Sequence, residues 1–314
     1  MVKNIMMKKG GDGYKIKKKQ VLLLISMVII LGGLFAVLLY QVKLRNIGNI
    51  EHRLQWWRTE IGAENRVKMA TGNGVKIAIL DTGVDCTHPD LLASKIKEVR
   101  IEGLEATNDD KVHGTAVAGI IAAYPNDSEG VLGIAPLVEI ISIDVTDSEY
   151  VEPENIIAGI EMAIKEDVDI ISISLGLKED NSEVHAVIKR AYEKGIVIVA
   201  SAGNYMESDV LYPAKYDEVL CVGALNKKGE IVSPKGALEK KVVYLPGENI
   251  VTTYSGERLY VGATGTSFST AILSGIIALM IETNPDITIQ EIYTYFEELL
   301  YNSEVTIDKC LDFK

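Results

Sequence analysis

Three short segments hold side chains whose types could act together on an acyl group. VKIAILDTGVDCTHPDL contains Asp81, HGTAVAG begins at His113, and GTSFSTA contains Ser267. A carboxylate, an imidazole and a hydroxyl are the parts of an activated serine nucleophile. The base takes the hydroxyl proton, and the acid orients the base and stabilises its charged form. Each residue alone also has an ordinary structural explanation. Asp81 ends a β-rich run and enters the glycine turn DTGVD, where an acid could equally hold a ribose or a metal. His113 opens a run of small residues that brings a helix close to its neighbours. At a helix start the positive end of the dipole is expected to depress its basicity and keep it neutral near about pH 7. Ser267 directly precedes a strongly apolar helix, where serine is most often a cap. Two features set it apart from a cap. Gly262, Ala263 and Gly265 precede it and let a substrate backbone approach, and a helix N-terminus favours developing negative charge.

These residues need a scaffold, and the rest of the chain predicts one. The runs VKIAIL (75–80), VEIISID (138–144), VDIISISL (168–175), IVIVASA (196–202) and VLCVGA (219–224) lack the polar alternation of a half-exposed strand, which suits parallel strands buried on both faces. Helical patterns lie between and after them at 113–124, 155–167, 182–195 and 267–284. An amphipathic closing helix, ITIQEIYTYFEELL, follows Pro285 and Asp286. The alternation predicts an α/β fold: a doubly wound, mostly parallel sheet with helices on both faces and its site at the carboxyl ends of the strands. Asp81 and Asn204 both occupy such ends.

A length of 314 residues suits one large domain with an appendage, and the appendage is at the front. Residues 21–40, VLLLISMVIILGGLFAVLLY, are twenty residues without a charge, about the length that spans a bilayer. Seven lysines precede this run, whereas only Lys43 and Arg45 follow closely, so a transmembrane helix is expected with its N-terminus cytoplasmic. A cleaved signal, giving a secreted form, is the alternative; it would show a shorter apolar core and small residues in A-x-A spacing. The expected organisation is a basic cytoplasmic segment (1–20), a signal-anchor helix (21–40), a tether (41–54) and an extracytoplasmic domain (55–314) at the cell membrane. The first forty residues carry a net charge of +6, which leaves −18 on the remainder. That acidity argues against nucleic acid or anionic lipid surfaces as partners of the outer domain. Cys86, Cys221 and Cys310 have no metal-type spacing and read as small buried residues, with one disulfide as the alternative.

Together the three chemical segments resemble the subtilisin-like serine proteases, the subtilases, whose motifs read D-[ST]-G-[IV] for the acid, H-G-T for the base and G-T-S for the nucleophile. The order Asp, His, Ser is that family's own, and the resemblance spans residues about 55 to 300. Sedolisin-type relatives share the serine motif but use a glutamate base, which His113 argues against. The resemblance implies a serine endopeptidase with catalytic Asp81, His113 and Ser267, acting on a peptide or protein substrate as a monomer. IVIVASAGN resembles the family strand whose terminal asparagine, here Asn204, supplies the side-chain half of the oxyanion hole. Ser174, Leu175 and Gly176 resemble one wall of the primary specificity pocket, with Ala202 and Gly203 opposite. Leu211 falls near its floor, where many members have glycine, so a shallow pocket and a small preferred side chain are expected.

No cofactor is implied for the chemistry. Asp90 and the loop PNDSEGV (125–131), with Asp127, resemble the family's tight calcium site, and a solvated acidic turn is the alternative. Three departures stand out. Ala116 replaces a second histidine, Ala271 replaces a proline after the nucleophile, and residues 41–54 leave no room for the inhibitory propeptide that secreted members usually carry. Tethering at short range favours a processing protease over a general scavenger. From other classes, an inactive subtilase fold used for binding and a nucleotide-binding domain remain. The latter lacks any G-x-G-x-x-G or P-loop companion.

Overall fold

The computed structural model describes residues 55–63, 70–101, 111–124, 130–146, 151–205, 209–234, 241–256 and 258–301, with side chains to 298. The expected cytoplasmic segment, the span 21–40, the tether 41–54, Asp127 and Cys310 lie outside the described residues.

Seven parallel strands form the central sheet: β1 (Lys76–Asp81), β2 (Lys95–Arg100), β3 (Glu139–Asp144), β4 (Ile170–Ile173), β5 (Val197–Ser201), β6 (Leu220–Leu225) and β7 (Val242–Pro246). Their order is β2-β3-β1-β4-β5-β6-β7. β1 lies inside the sheet, with β3 on one side and β4 on the other. On one side the chain passes from β1 to the edge strand β2 and returns to β3, and on the other it steps outward from β4 to β7, so the carboxyl end of β1 opens where the direction of winding changes, the place where such sheets build their sites.

The all-apolar strands are explained by two cores. Ile77 and Ile79 of β1 enter one hydrophobic cluster together with Val197, Val199 and Val222, while Ala78 and Leu80 enter the other with Ile171, Ile173 and Ile198. Alternation with period two is therefore present, but both faces are apolar and it leaves no polar trace in the sequence.

The first core is covered by α1 (Trp56–Glu60), α2 (Val112–Ala122), α5 (Thr266–Thr283) and α6 (Ile289–Tyr301). The second is covered by α3 (Pro153–Lys165) and α4 (Ser182–Glu193). α5 is the one described helix long and apolar enough to cross a membrane, yet every residue from Thr266 to Met280 is buried. It is the central core helix, apolar all round because it is enclosed all round. Its hydroxyls are satisfied internally: Thr270 Oγ1 donates to Thr266 O at 2.8 Å, Ser274 Oγ to Thr270 O at 2.9 Å and Ser269 Oγ to Pro246 O at 2.9 Å. α6 begins with a capping box in which Thr288 N donates to Glu291 Oε2 and Glu291 N to Thr288 Oγ1.

Observed elements match the expected ones to within a few residues. The exceptions are α1, β2, β7 and an antiparallel hairpin of β8 (Ile250–Thr253) and β9 (Tyr260–Ala263). β2, KIKEVR, is an edge strand and largely exposed, so its sequence is charged where a core strand would be apolar. Cys86 is partly buried and Cys221 fully buried.

Candidate active site

Asp81 is the last residue of β1 and is 1% exposed. Its Oδ1 accepts from Thr82 N at 2.8 Å, and both carboxylate oxygens meet His113 Nδ1, at 2.8 and 2.9 Å. A carboxylate only accepts, so Nδ1 bears the proton and Nε2 is the free base. His113 is the second residue of α2. The glycine after it is required by space: a Cβ on Gly114 would overlap the Gly83 carbonyl and lie 3.3 Å from Asp81 Oδ1. A larger residue would separate the helix from the turn that follows the acid.

Burial is the strongest single influence on the His113 pKa and pulls it down. The Asp81 charge and hydrogen bond push it up and prevail, so the imidazole titrates above its ordinary 6.5. This corrects the expectation of a depressed basicity. The helix start suggested a lower value, but an ion-pairing carboxylate in contact outweighs a partial dipole charge and desolvation together. Two consequences differ in sign. Because the protonated ring pairs with Asp81, its contribution to stability is fully present below the ordinary value and fades as pH rises through the raised one. A general base must be neutral, so kcat/KM is expected to climb through the same raised value, with the acid-side half-point above 6.5. Asp81→Asn should move that half-point to lower pH, and a profile of kcat/KM against pH for both proteins checks it.

Ser267 is the second residue of α5, behind the N-cap Gly265, and is 6% exposed. Its Oγ donates to Ser174 O at 3.3 Å, so it does not cap its own helix. The Phe268 ring beside it lies 5.5 Å from the His113 ring, which brings the starts of α2 and α5 together. Around Ser267 the free N–H groups of the helix start are divided up. Thr266 N is taken by Asn204 Oδ1 at 2.9 Å and Phe268 N by Gly265 O at 3.2 Å, whereas Ser267 N has no acceptor among the described residues.

Asn204, exposed and three residues beyond β5, complements this. Its Oδ1 accepts from both Thr266 N and Thr266 Oγ1, the latter at 3.1 Å, which turns Nδ2 outward as a donor. Thr266 is 1% exposed; its Oγ1 also accepts from Gly203 N at 3.3 Å, and its one hydroxyl proton is shared between Asn204 Oδ1 and Gly203 O. Its orienting contact is one the sequence reading missed, because it joins positions 62 residues apart. Ser267 N and Asn204 Nδ2 are two donors near a helix N-terminus, chemistry that suits a developing oxyanion.

The remaining pocket residues also come together. Ser174, Leu175 and Gly176 follow β4, and Ala202 and Gly203 follow β5. Leu177 and Tyr212 pair antiparallel through hydrogen bonds of 2.7 and 2.9 Å, and Leu211 N donates to Ala202 O at 3.1 Å. The Leu211 side chain lies between the walls: a Cβ on Gly176 would be 2.7 Å from Leu211 Cδ1 and one on Gly203 would be 3.2 Å from it. Ala116 and Ala271 are both buried and fill their places without polar partners to satisfy.

For a metal, Asp90 is 4% exposed and its Oδ2 accepts from Val131 N at 2.8 Å. Gln55, 3% exposed, brackets the same loop, with Nε2 to Leu132 O at 3.3 Å and Oε1 from Leu132 N at 3.2 Å. These are hard oxygen donors suited to calcium, but no group of three or more acidic, His or Cys residues close enough for a metal occurs among the described residues.

Comparison with known proteins agrees with this geometry. The subtilase family model matches residues 72–305. The chain is 37% identical over 223 residues to a thermostable alkaline protease of Halalkalibacterium halodurans, covering 70% of this chain and 60% of that protein. It is 37% identical over 220 residues to subtilisin E of Bacillus subtilis, covering 68% and 57%. The major intracellular serine protease of Bacillus subtilis is likewise 37% identical, over 231 residues, covering 68% and 70%. The chain thus matches under two thirds of the length of the first two. Among solved structures, the prenylagaramide maturation protease PagA aligns with a TM-score of 0.66 at 25% identity over 74% of this chain and 86% of its own. The protease domain of PatA, as a mutant, aligns with the same score and identity over 75% and 98%. In motif order, sheet topology and site geometry, this chain belongs to the subtilase family.

Proposed function

We propose that the protein is a serine endopeptidase whose nucleophile is Ser267. The observation that carries this reading is the pair of Asp81 and His113 Nδ1 at 2.8 Å, with Nε2 left basic beside the start of α5. On substrate binding, Ser267 Oγ gives up its contact with Ser174 O and attacks the peptide carbonyl. His113 takes its proton, and Asp81 stabilises the imidazolium. Ser267 N and Asn204 Nδ2 receive the oxyanion. His113 then protonates the leaving amine, and water attacks the resulting ester through the same base. Incubation with a peptide library tests the reading. Cleavage that disappears when Ser267 is replaced supports it, and cleavage that survives the replacement refutes it.

The Leu211 side chain between Gly176 and Gly203 supports a shallow primary pocket with a preference for small residues. Leu211→Gly is expected to shift cleavage toward large side chains, because the removed isobutyl group leaves space for them. Profiling the residue before the scissile bond reads the change, and an unaltered profile would remove Leu211 from the pocket floor. We also propose structural calcium held by Asp90 and the 125–131 loop including Asp127, since Asp90 is buried against that loop. Chelation should then lower Tm in the wild type and have little effect in Asp127→Asn.

The uncharged run 21–40 and the lysine excess before it support a signal-anchor helix that displays the peptidase domain outside the membrane for processing of peptides within reach. Protease added to intact cells should digest residues 55–314. Protection of that domain while the membrane is sealed would contradict the topology.

A further inference from the structure

The β8–β9 hairpin touches the helix that bears His113 and the segment that follows Asp81, and it leads directly into the helix that bears Ser267. Thr252 and Thr253 of β8 are 0% exposed, and their hydroxyls reach across to α2. Thr252 Oγ1 donates to Ala116 O at 2.8 Å and Thr253 Oγ1 to Thr115 O at 2.7 Å, both in the turn of helix that begins with His113. α2 admits them because residue 119 is glycine: a Cβ there would fall 2.6 Å from Thr252 Oγ1 and closer still to Thr253 Oγ1.

Past β8, Ser255 Oγ donates to Asp85 Oδ2 at 3.1 Å. Asp85 N donates to Thr115 Oγ1 at 2.8 Å, and that hydroxyl donates to Lys111 O at 2.6 Å. On the return, Leu259 O lies 2.6 Å from His88 Nε2. His88 is 3% exposed and its Nδ1 accepts from Asp90 N at 3.1 Å, so Nε2 carries the proton and is the donor. The ring of Tyr260 meets His88 edge-on at 5.6 Å. β9 then runs through Thr264, whose Oγ1 accepts from Asn249 N at 2.9 Å, into Gly265 and Ser267.

We propose that this hairpin is a positioning clamp for the triad, in which Thr252 and Thr253 set the height of the His113 helix while Ser255 and Leu259 O hold the segment that follows Asp81. The inference rests on the triad reading given above. α2 has no side-chain cap at its start, so its own capping does not fix its first turn. The two carbonyls have a second lone pair beyond their helical bond, so the threonine hydroxyls add restraint without displacing any partner. A methyl group cannot take a hydroxyl's place at 2.7 Å from a carbonyl oxygen. Carbon–oxygen contacts settle near about 3.3 Å or beyond, so Thr253→Val pushes the helix away from the hairpin by roughly half an ångström. Misplacement by about 1 Å costs on the order of 10²-fold in rate.

The test compares Thr253→Val, Thr253→Ser and Ser255→Ala with the wild-type full chain, well below each Tm. kcat and KM are normalised by active-site titration, and the His113 imidazole is titrated by NMR. Thr253→Val is expected to lower kcat per titrated site by about ten-fold with little change in KM, and to lower the His113 pKa as its contact with Asp81 loosens. Thr253→Ser, which keeps the hydroxyl, should restore both. Ser255→Ala alters only a part-buried contact at the hairpin tip, so it gives a reading with little risk to folding and should move both in the same direction by less. Unchanged titrated kcat and unchanged His113 pKa in Thr253→Val and Ser255→Ala would overturn the clamp even if Tm falls. A wild type with no titratable site would overturn the hydrolase reading instead, and the His113 titration would still decide the clamp.

Discussion

Replacing Ser267 or His113 by alanine is expected to reduce kcat by on the order of 10⁶-fold, a magnitude established for subtilisin, a member of the same family. The two losses should be nearly equal, and the double variant little worse than either, because nucleophile and base act as one unit. The structure gives the reason. A serine hydroxyl at its ordinary acidity is a poor nucleophile. In the proposed mechanism the group that takes its proton is His113, whose Nδ1 is already committed to Asp81 at 2.8 Å and whose Nε2 has no partner among the described residues. Removing either residue leaves Ser267 N and Asn204 Nδ2 in place, so a residual rate above the uncatalysed one should survive. Hydrolysis of a chromogenic peptide by the two single variants and the double variant measures this, and additive losses would contradict the shared role.

Asn204→Ala is the second large effect, with kcat expected to fall by on the order of 10² to 10³-fold, again a range taken from subtilisin, and KM to change little. An oxyanion exists only in the transition state and intermediate, so its donor adds little to ground-state binding. Thr266→Val should act in the same direction but more weakly. It removes the hydroxyl that holds Asn204 Oδ1 at 3.1 Å, while the Thr266 backbone N–H at 2.9 Å remains. Asn204 then keeps one of its two restraints and presents Nδ2 less often in the productive direction. Steady-state kinetics of both variants test this ranking. A rise in KM with unchanged kcat would assign Asn204 to ground-state binding instead.

How much of this was legible in the sequence depended on the range of the interactions involved. β1, β3, β4, β5 and β6 announced themselves because strands buried on both faces need apolar residues throughout. β2 carries lysines and arginine on its exposed edge, so no apolar run marked it as a strand. The β8–β9 hairpin, with buried Thr252 and Thr253, looked polar because its hydroxyls are spent on α2 carbonyls that no local pattern reveals. Asp81, His113, Ser267 and Asn204 were readable because strand ends and helix starts are local features. The direction of the His113 pKa was not readable, since it depends on a contact across 32 residues that outweighs the local dipole. Thr266 escaped for the same reason, since only the fold brings its hydroxyl to Asn204 Oδ1. Gln55 lies before any recognisable motif, yet it is buried against the 130–132 loop that Asp90 also holds. Leu211 was singled out from its residue type alone, and its side chain does lie between Gly176 and Gly203.

The central claim is that His113 activates Ser267 as a nucleophile, and a fluorophosphonate probe tests it most directly because it bonds only to an activated serine. Labelling of the folded full chain in calcium-containing buffer, followed by mass spectrometry of the peptides, should place one adduct on Ser267. The same adduct should be lost in His113→Ala. Absence of the adduct in the folded wild type, or labelling of Ser267 that persists without His113, would contradict the account.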